Sequence, residues 1–443
     1  MTRTSDRETI STRQRKLAER ARKAPDMALR TLAHHIDLVW MHEAYRRTRK
    51  DGAVGVDGVT AEMYEERLDE NLADLLERFK SGRYRAPPVR RVHIPKEGTG
   101  KTRPIGIPTL EDKVLQRAVL MVLEPIYEQD FLPCSFGFRP GRGPHQALEV
   151  LWHELMDMVG GWVIDLDISS FFDTIDRKHL EAFLDKRVRD GVIRRTLGKW
   201  MNAGVLEDGV VLHPEHGTPQ GGVISPVMSN LYLHEVLDLW FEREVKPRLR
   251  GRATLVRFAD DALLAFASEA DARRVLEVLP KRFGRFGLTL HPVKTRLVDF
   301  HPPVPARDGD GRSQRERSFD LLGFTHYWER SRKGRWVVQR KTAKSRLSRA
   351  LRRVRQWCRV HRHDQVADQQ RALSQKLRGH YAYYGITGNA KALSVLRYEA
   401  ERTWRKWLSR RSHAGRMPWA TFARLLRRYP FPPVRVVHSV YAT

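Results

Sequence analysis

Residues 255–266 read LVRFADDALLAF, in which two adjacent carboxylates, Asp260 and Asp261, stand between two short apolar runs. Charged groups inside a sheet are costly unless cations, hydrogen-bond donors or water meet them. Two structures would satisfy the pair: a hairpin corner exposed to solvent, or a site that binds cations. The rest of the chain has to separate these alternatives.

A second strand-like segment also carries acids on one face. In residues 161–176, GWVIDLDISSFFDTID, strand alternation puts Asp165 and Asp167 on one face and apolar side chains on the other. Two such strands could bring carboxylates together around divalent cations, and hard oxygen ligands suit Mg²⁺. A pair of these ions stabilises the attacking and leaving oxygens of an in-line phosphoryl transfer. The acids therefore predict phosphoryl-transfer chemistry.

The geometry of an extended chain ranks these acids. Neighbouring residues point in opposite directions, so Asp260 and Asp261 can share an ion only if the turn bends between them. We expect Asp167 and Asp260 to be metal ligands and Asp261 to assist them. The other acids of the segment are expected to be structural or to cap helices: Asp165, Asp173 and Asp176.

The charge of the chain is concentrated in its last quarter. The 443 residues carry a formal net charge of +28, and the segment from Arg330 to Thr443 has 29 Lys and Arg against 4 Asp and Glu, a net of +25. Such a self-repelling surface gains from a polyanion, because phosphate contacts release counterions. The asymmetry therefore predicts that the C-terminal region binds nucleic acid.

Residues 344–360, KSRLSRALRRVRQWCRV, form a basic amphipathic helix pattern. Leu347, Leu351, Val354 and Cys358 make one apolar stripe, and the arginines lie off it. The same region contains tryptophans, which can stack on bases where arginines attract phosphates. These are Trp336, Trp357, Trp404, Trp407 and Trp419. We predict a platform for nucleic acid rather than a merely solvated face.

Coarser sequence patterns limit the possible fold classes and the cellular location. Strand-like stretches such as VRRVHIP (89–95) alternate with helical stretches, which is typical of α+β or α/β domains. Residues 1–26 are polar and basic without an apolar period, and we expect a mobile arm. No apolar run is long enough to cross a bilayer and no secretory signal is visible, which predicts a cytoplasmic protein. Cys134 and Cys358 lie far apart in the sequence and are expected to be free thiols.

From about residue 30 to its end the chain carries a series of motifs, each of which is weak alone. They are RVHIPKEGTGKTRPIGIPTLEDKVLQRAV (91–119), SFGFRPGRGPHQAL (135–148), DLDISSFFDTIDRKHL (165–180), GTPQGGVISPVMSNLYLHEV (217–236), RFADDALLAF (257–266), FGLTLHPVKTRL (286–297), FDLLGFTHY (319–327) and LRGHYAYYGITGN (377–389). In this order they resemble the motifs of the reverse transcriptases encoded by bacterial group II introns, the intron maturases.

The resemblance implies an α+β right-hand polymerase, with fingers and palm built on antiparallel sheet and followed by an α-helical thumb and maturase region. The implied segments are a basic flexible arm (1–26), an N-terminal helical extension of the fingers (27–85), the reverse transcriptase fingers and palm (86–325), and the basic thumb and maturase region that binds RNA (326–443). No endonuclease domain is expected, because no paired cysteines are present.

The resemblance also assigns site residues. The metal-binding and catalytic acids of the family fall on Asp167, Asp260 and Asp261. The residues that match nucleotide contacts are Lys96 and Arg103, which hold the triphosphate, Phe172, which packs under the sugar, Gln220, which contacts the incoming nucleotide, and Lys294 at the edge of the palm. The glycines after Gln220 are expected to let backbone approach the substrate. A core phenylalanine and an ordinary glycine turn are the alternatives for Phe172 and for the glycines.

The implied activity is RNA-directed DNA synthesis with two Mg²⁺ ions, for which Mn²⁺ is a substitute. The implied partners are group II intron RNA, whose splicing and mobility the protein would promote, an RNA template with a DNA primer, dNTPs and target DNA, with no membrane and a bacterial cytoplasmic location. The residues expected to bind RNA are Arg346, Arg349, Arg352, Arg353, Arg378, Tyr381, Arg405 and Lys406.

Two other functions stay open for this sequence. One is a domesticated or host-defence reverse transcriptase with a different RNA partner. The other is a non-catalytic RNA-binding splicing cofactor, against which the intact acids and cations speak. The chain also departs from the family at Phe258, where tyrosine is common, and this change is expected to spare metal binding but to alter primer positioning or fidelity.

Overall fold

The computed structural model describes residues 2–95, 100, 102–207, 209–212, 221–303, 317–411 and 417–439, with side chains described from Ile10 onward. In chain order the helices are α1 (Thr2–Lys23), α2 (Leu38–Arg47), α3 (Ala61–Glu65), α4 (Leu68–Ser81), α5 (Leu110–Tyr127), α6 (Pro144–Asp157), α7 (Phe171–Thr174), α8 (Arg177–Asp185), α9 (Gly191–Met201), α10 (Ser225–Leu233), α11 (Glu269–Gly284), α12 (Lys344–Val360), α13 (Val366–Tyr384), α14 (Ala390–Leu408) and α15 (Trp419–Arg428).

The strands of the described residues form three sheets. In chain order they are β1 (Val89–Pro95), β2 (Thr102–Ile107), β3 (Trp162–Leu166), β4 (Val205–Glu207), β5 (Val210–Leu212), β6 (Ala253–Phe258), β7 (Asp261–Phe266), β8 (Arg296–Asp299), β9 (Phe319–Leu321), β10 (Phe324–Arg330) and β11 (Trp336–Thr342). The hydrogen-bonded orders are β2-β1-β4-β5, β6-β7-β3-β8 and β11-β10-β9. Helices and largely antiparallel sheets are thus combined in one chain, and the predicted α+β class with a helical C-terminal region is confirmed.

The chain divides into two compact units. The first comprises Met1–Ala147, Ile164–Leu264 and Ser268–Arg296. Its sheet β2-β1-β4-β5 is built on the hairpin of β1 and β2, which pairs Ile94 with Arg103. One pairing in this sheet, between β1 and β4, is parallel, so the sheet is mixed rather than purely antiparallel.

Helix α10 runs into π-helical turns rather than ending. Residues His234–Asp238 and Trp240–Val245 take the π conformation, in which each hydrogen bond spans five residues instead of four. Extra residues per turn rotate the following side chains around the helix axis. Asp238, in this stretch, has a fully buried carboxylate. Its partner is described with the candidate site.

The expected mobile arm is wrong, because residues 2–23 form helix α1. Ile10, Leu17 and Ala21 are buried, and the spacing of seven and four residues places them on one narrow stripe. Further along, the buried Arg187 side chain donates hydrogen bonds to carbonyls that close the helix, among them that of Ala21 at 2.9 Å. The stripe was missed because only a few apolar residues break an otherwise polar and basic segment.

The second unit comprises Leu148–Val163, Ala265–Ala267 and Leu297–Thr443. The antiparallel sheet of β9 to β11 is joined to α6, where the Trp152 indole N–H donates to the Val338 carbonyl at 2.8 Å. Helices α12 to α15 share a core of their own, and Val354 and Cys358 of α12 are buried in it. The helix predicted from residues 344–360 is confirmed with these bounds, and its apolar stripe faces this core.

Candidate active site

The connection between β6 and β7 carries the two adjacent carboxylates. Ala259 and Asp260 form the turn, and Asp261 is the first residue of β7. Ala259 has a φ of +57°, a left-handed conformation that helps the chain reverse within two residues. Asp261 is exposed and Asp260 half-buried, whereas most residues of the two strands are buried. The acids therefore lie at the exposed end of a buried hairpin, which avoids the cost of burying them.

Asp167 follows β3, the strand that is hydrogen-bonded to β7. The segment before β8 holds its backbone. The Asp167 carbonyl accepts hydrogen bonds from the His291 N–H at 2.8 Å and from the Thr295 hydroxyl at 3.2 Å. The acid therefore projects from a strand end that is held on both sides and not from a free loop.

The acids of the two strands are electrostatically coupled. Burial raises the pKa of Asp165 to about 6, the Arg296 guanidinium 3.6 Å away opposes the rise, and the charges of Asp261 and Asp167 add to it. Like charges raise a carboxyl pKa in this way when they are close neighbours. β3 and β7 thus bring Asp165, Asp167 and Asp261 near one another, with Asp260 one residue away. Asp165, expected to be structural, makes an ion pair with Arg296 beside the other two.

Lys294 supplies a cation at Asp167. Its Nζ lies 2.9 Å from Oδ2 and 3.1 Å from Oδ1 of that carboxylate. Hard oxygen donors of this kind also suit Mg²⁺. Among the described residues, no three Asp, Glu, His or Cys side chains are gathered closely enough to hold a metal ion as they stand. The donor chemistry fits a divalent cation, but binding would require Lys294 to release Asp167 and the carboxylates to draw together.

Beneath the turn lies a buried charge pair that sequence reasoning missed. Arg257 and Asp238 are both fully buried and are joined by two hydrogen bonds of 2.7 and 2.6 Å. The guanidinium also donates to the Ala259 carbonyl at 3.1 Å, the Asn230 amide oxygen at 2.9 Å and the Ser135 hydroxyl at 2.8 Å. An arginine has five N–H donors, and all five are used here. The one sequence signal was an arginine inside the apolar run LVRF.

Gly137 packs directly against the same turn. A Cβ added to Gly137 would lie 2.3 Å from the Ala259 backbone nitrogen, a distance that real Cβ atoms do not reach, so only glycine fits. The Asn230 amide donates a hydrogen bond to the Gly137 carbonyl at 2.7 Å. Asn230 thus connects this loop to Arg257, and one buried network holds both the loop and the turn.

Besides Lys294, two of the residues expected to contact the nucleotide can be placed. Phe172 is half-buried in α7, whereas its neighbour Phe171 is buried, so the core position belongs to Phe171. Arg103 is exposed on β2. Lys96 and Gln220 lie outside the described residues.

The glycines after Gln220 approach the protein's own chain. A Cβ at Gly221 would lie 2.4 Å from the Gly106 carbonyl oxygen on β2. A Cβ at Gly222 would meet the Ser225 hydroxyl at 2.9 Å and the Gln116 side-chain oxygen at 3.0 Å. Close packing against β2, α5 and the start of α10 therefore requires glycine at both positions, and the approach of their backbone to substrate stays a prediction.

The remaining acids of the DLDISSFFDTID segment are placed by local structure. Asp176 caps α8, since its carboxylate accepts a hydrogen bond from the His179 N–H at 3.0 Å, and the capping prediction is confirmed for it. Asp173 is exposed in the first turn of α7. There a negative charge interacts favourably with the helix dipole.

The basic side of α12 lies on the surface. Arg346, Arg352 and Arg353 are exposed and Arg349 is half-buried. Beyond α12, Arg378 and Lys406 are also exposed. Arginines of α12, together with residues of α13 and α14, line a groove of about 690 Å³. The residues that line this α12 groove are Arg346, Arg349, Ala350, Arg353, Val354, Gln356, Trp357, Val360, His361, Lys376, Leu377, His380, Tyr384 and Leu396.

Three residues predicted for the nucleic-acid platform have internal roles instead. Tyr381 is 4% exposed and Trp404 is fully buried, and both belong to the core of the helical region. The predicted RNA contacts of these two rings are wrong, because apolar packing has taken them inside. Arg405 donates to the Met417 carbonyl at 2.9 Å and stacks on Trp419 at 4.0 Å, which ties α14 to α15.

Two general predictions can be compared with the described residues. Cys134 and Cys358 are free, as expected. Within the described ranges, none of the helices is both apolar enough and long enough to span a bilayer.

Comparison with known proteins identifies similar chains. The family model described as reverse transcriptase (RNA-dependent DNA polymerase) matches residues 94–326. Protein YkfC of Escherichia coli K12 is 39% identical over 267 residues, which are 56% of this chain and 70% of that protein.

More distant relatives carry intron-related names. The group II intron-encoded protein LtrA of Lactococcus lactis subsp. cremoris is 33% identical over 251 residues, 54% of this chain and 41% of that protein. A protein named nuclear intron maturase 2, mitochondrial, from Arabidopsis thaliana is 30% identical over 174 residues, 31% of this chain and 24% of that protein. The chain therefore spans less than half the length of these two relatives.

Proposed function

Since this chain belongs to the family of reverse transcriptases (RNA-dependent DNA polymerases), we propose that it joins deoxynucleotides on an RNA template at the turn that carries Asp260 and Asp261. The predicted enzyme class, RNA-directed DNA polymerase, and the predicted group II intron type are confirmed by the family model and these relatives. The observation that supports the site is that the charges of Asp167 and Asp261 both act on the Asp165 carboxyl, on the neighbouring strands β3 and β7.

In this proposal Asp167, Asp260 and Asp261 hold two Mg²⁺ ions, with Mn²⁺ as a substitute. When bound there, the ions supply charge stabilisation to the attacking and leaving oxygens of the transfer. Lys294, which pairs with Asp167, would release that carboxylate to the metal ion, and its ammonium would then be available to the phosphates of the nucleotide. Arg257 keeps the turn in place throughout, because its donor to the Ala259 carbonyl belongs to a fully satisfied buried network.

The remaining nucleotide contacts belong, in this proposal, to two parts of the polymerase. These are a palm that carries the acids and fingers built on the hairpin of β1 and β2. Arg103 and Lys96 would hold the triphosphate through their charge and their N–H donors. Gln220 would contact the incoming nucleotide. Phe172 would form the wall beneath the sugar, which its half-buried position beside the core residue Phe171 supports.

Primer extension tests the proposed activity. A DNA primer annealed to an RNA template is incubated with the full chain, Mg²⁺ and the four dNTPs, and we expect extension to the template end that EDTA abolishes. A mutant template with one changed base should change the base incorporated opposite it. Lack of extension by the wild type across salt, temperature and metal would leave only a non-catalytic RNA-binding cofactor.

Replacing Phe172 by valine is expected to weaken the exclusion of ribonucleotides. The phenyl wall leaves no room for a 2′-hydroxyl, and removing it should lower the preference for dNTP over rNTP by about 10- to 200-fold, the range expected for a change of a few atoms in a packed pocket. Single-nucleotide incorporation gives the ratio of kcat/KM values. Phe172→Tyr keeps an aromatic wall and serves as the control. Equal discrimination by Phe172→Val and wild type would reject the gate.

We further propose that the basic helical region, as a thumb and maturase region, binds group II intron RNA and promotes its splicing and mobility into target DNA. Support comes from the net charge of +25 after residue 329, the exposed arginines of α12 and the names of two relatives. A bacterial cytoplasmic location is part of the same proposal, since YkfC and LtrA are bacterial proteins.

Removing two exposed cations of α12 is expected to weaken RNA binding in a salt-dependent way. The double change Arg346→Gln and Arg352→Gln should reduce the slope of log Kd against log salt by about 1.4 to 1.8, the sum for two phosphate contacts. Filter binding across a salt series measures the slope. The matched control is Arg371→Gln with Arg402→Gln, because these arginines already form ion pairs with Asp368 and Glu399. Equal slopes for the two double variants would contradict RNA binding by α12.

A further inference from the structure

Phe138 has a backbone conformation that is rare for a bulky residue. Its φ is +57°, in the left-handed region where a Cβ crowds the following carbonyl. Phe138 is also 59% exposed, so packing of the ring in the core does not offset this strain. Strained residues that the surrounding structure holds in place cluster at functional sites. Folding stability therefore does not explain why a phenylalanine occupies this strained and exposed position.

The chain on both sides of Phe138 is tightly held. Before it, the Gly137 carbonyl accepts a hydrogen bond from the buried Asn230 amide at 2.7 Å. After it, the buried Arg139 guanidinium makes an ion pair with Glu128 at 2.9 Å and donates to the Ser135 carbonyl at 2.9 Å. These contacts hold the residues on either side of Phe138, and they give the exposed ring a fixed point of attachment.

This point of attachment lies at the proposed catalytic turn. Gly137 is in backbone contact with Ala259, the residue before Asp260. Asn230 bonds both the Gly137 carbonyl and Arg257, and Arg257 bonds the Ala259 carbonyl. The residue preceding Phe138 and the residue preceding Asp260 are thus positioned by one buried network. Because the proposed reaction takes place at the metal-binding acids, the end of a primer on its template must lie beside them.

We propose that Phe138 is a nucleic-acid contact that stacks on a base of the primer–template beside the metal-binding turn, an assignment that rests on the proposed polymerase function. An aromatic ring offers a face to any base, and such stacking is sequence-tolerant, as a polymerase requires. A cation at this position would seek phosphate instead. The ring adds affinity through a base, and the buried network beneath it sets its distance from Asp260.

The test separates stacking from folding by using two substitutions to glycine. Phe138→Gly relieves the left-handed strain, so we expect the melting temperature to rise by about 1–2 °C. The same change should weaken binding of an RNA template with an annealed DNA primer by about 5- to 150-fold, the loss of one stacked base. Val159→Gly is the matched control, since Val159 has a φ of +53° and is 60% exposed. It should raise the melting temperature without changing the affinity.

Affinity is measured by fluorescence anisotropy of a labelled primer–template without dNTPs. Phe138→Tyr and Phe138→Trp should bind within about threefold of wild type, whereas Phe138→Leu should be nearly as weak as Phe138→Gly, because leucine keeps bulk and loses the ring. Unchanged affinity in Phe138→Gly or Phe138→Leu would overturn the assignment, as would a fall in melting temperature of Phe138→Gly. Failure of the wild type to extend a primer that it binds would reject the polymerase function and leave the stacking result readable.

Discussion

Asp260→Asn is expected to lower the rate of primer extension by about 10³-fold or more, since a metal ion contributes several kcal/mol to the transition state of phosphoryl transfer. Asparagine keeps the shape of the side chain and removes the charge that holds a divalent cation. Asp260 is only half-buried at the end of a hairpin, so the change should leave the fold intact. The loss should therefore appear in catalysis and not in stability.

Single-turnover extension of a DNA primer on RNA, over a Mg²⁺ series, measures this effect. Asp173→Asn is the matched control, because Asp173 is an exposed acid in the first turn of α7 and should keep activity within about twofold, like other surface changes. Melting curves check that both variants are folded. If Asp260→Asn kept more than a tenth of the wild-type rate at saturating Mg²⁺, Asp260 would not be a metal ligand of the reaction.

Arg257→Met is expected to destabilise the protein by about 3–5 kcal/mol, because it leaves the Asp238 carboxylate charged and buried without its partner. Both side chains are fully buried, so water cannot replace the lost hydrogen bonds. The double change Arg257→Met with Asp238→Leu removes the uncompensated charge. It should recover most of the free energy of unfolding, as apolar replacements of buried ion pairs do.

Activity should not recover in parallel. In the double variant the Ala259 carbonyl, the Asn230 amide oxygen and the Ser135 hydroxyl all lose their donor, and the turn that carries Asp260 loses an anchor. Urea unfolding measures stability and primer extension measures activity for the same three proteins. A double variant that regained both stability and wild-type extension would show that the network serves folding alone.

Local patterns were the part of the fold that the sequence could reveal. The α12 bounds, its buried stripe and the cap of α8 by Asp176 all depend on residues three or four positions apart, and the structure has them as predicted. Helix α1 was missed because its stripe rests on three buried residues within a strongly basic segment. An apolar period that sparse becomes visible only when the surface against which it packs is known.

The aromatic residues of the helical region show what the sequence could not reveal. Trp404 and Tyr381 were placed on an RNA platform because they lie among arginines in the sequence, yet both are buried in the core of the helical region. Proximity along the chain cannot tell which face of a helix a neighbouring helix will cover. The surface position of the α12 arginines could be predicted from the sequence, because long charged side chains remain at the surface unless a buried partner exists.

By itself, the sequence determined that acids stand at the ends of two apolar strands, that the last quarter of the chain is strongly cationic, and which family these motifs resemble. Only the tertiary structure decided that Arg257 is a buried anchor for the turn, that Lys294 pairs with Asp167, and that Gly137 leaves no room for a side chain. The physical reason is distance along the chain. Arg257 bonds Ser135 across 122 positions and Lys294 bonds Asp167 across 127, and no local period encodes contacts of that range.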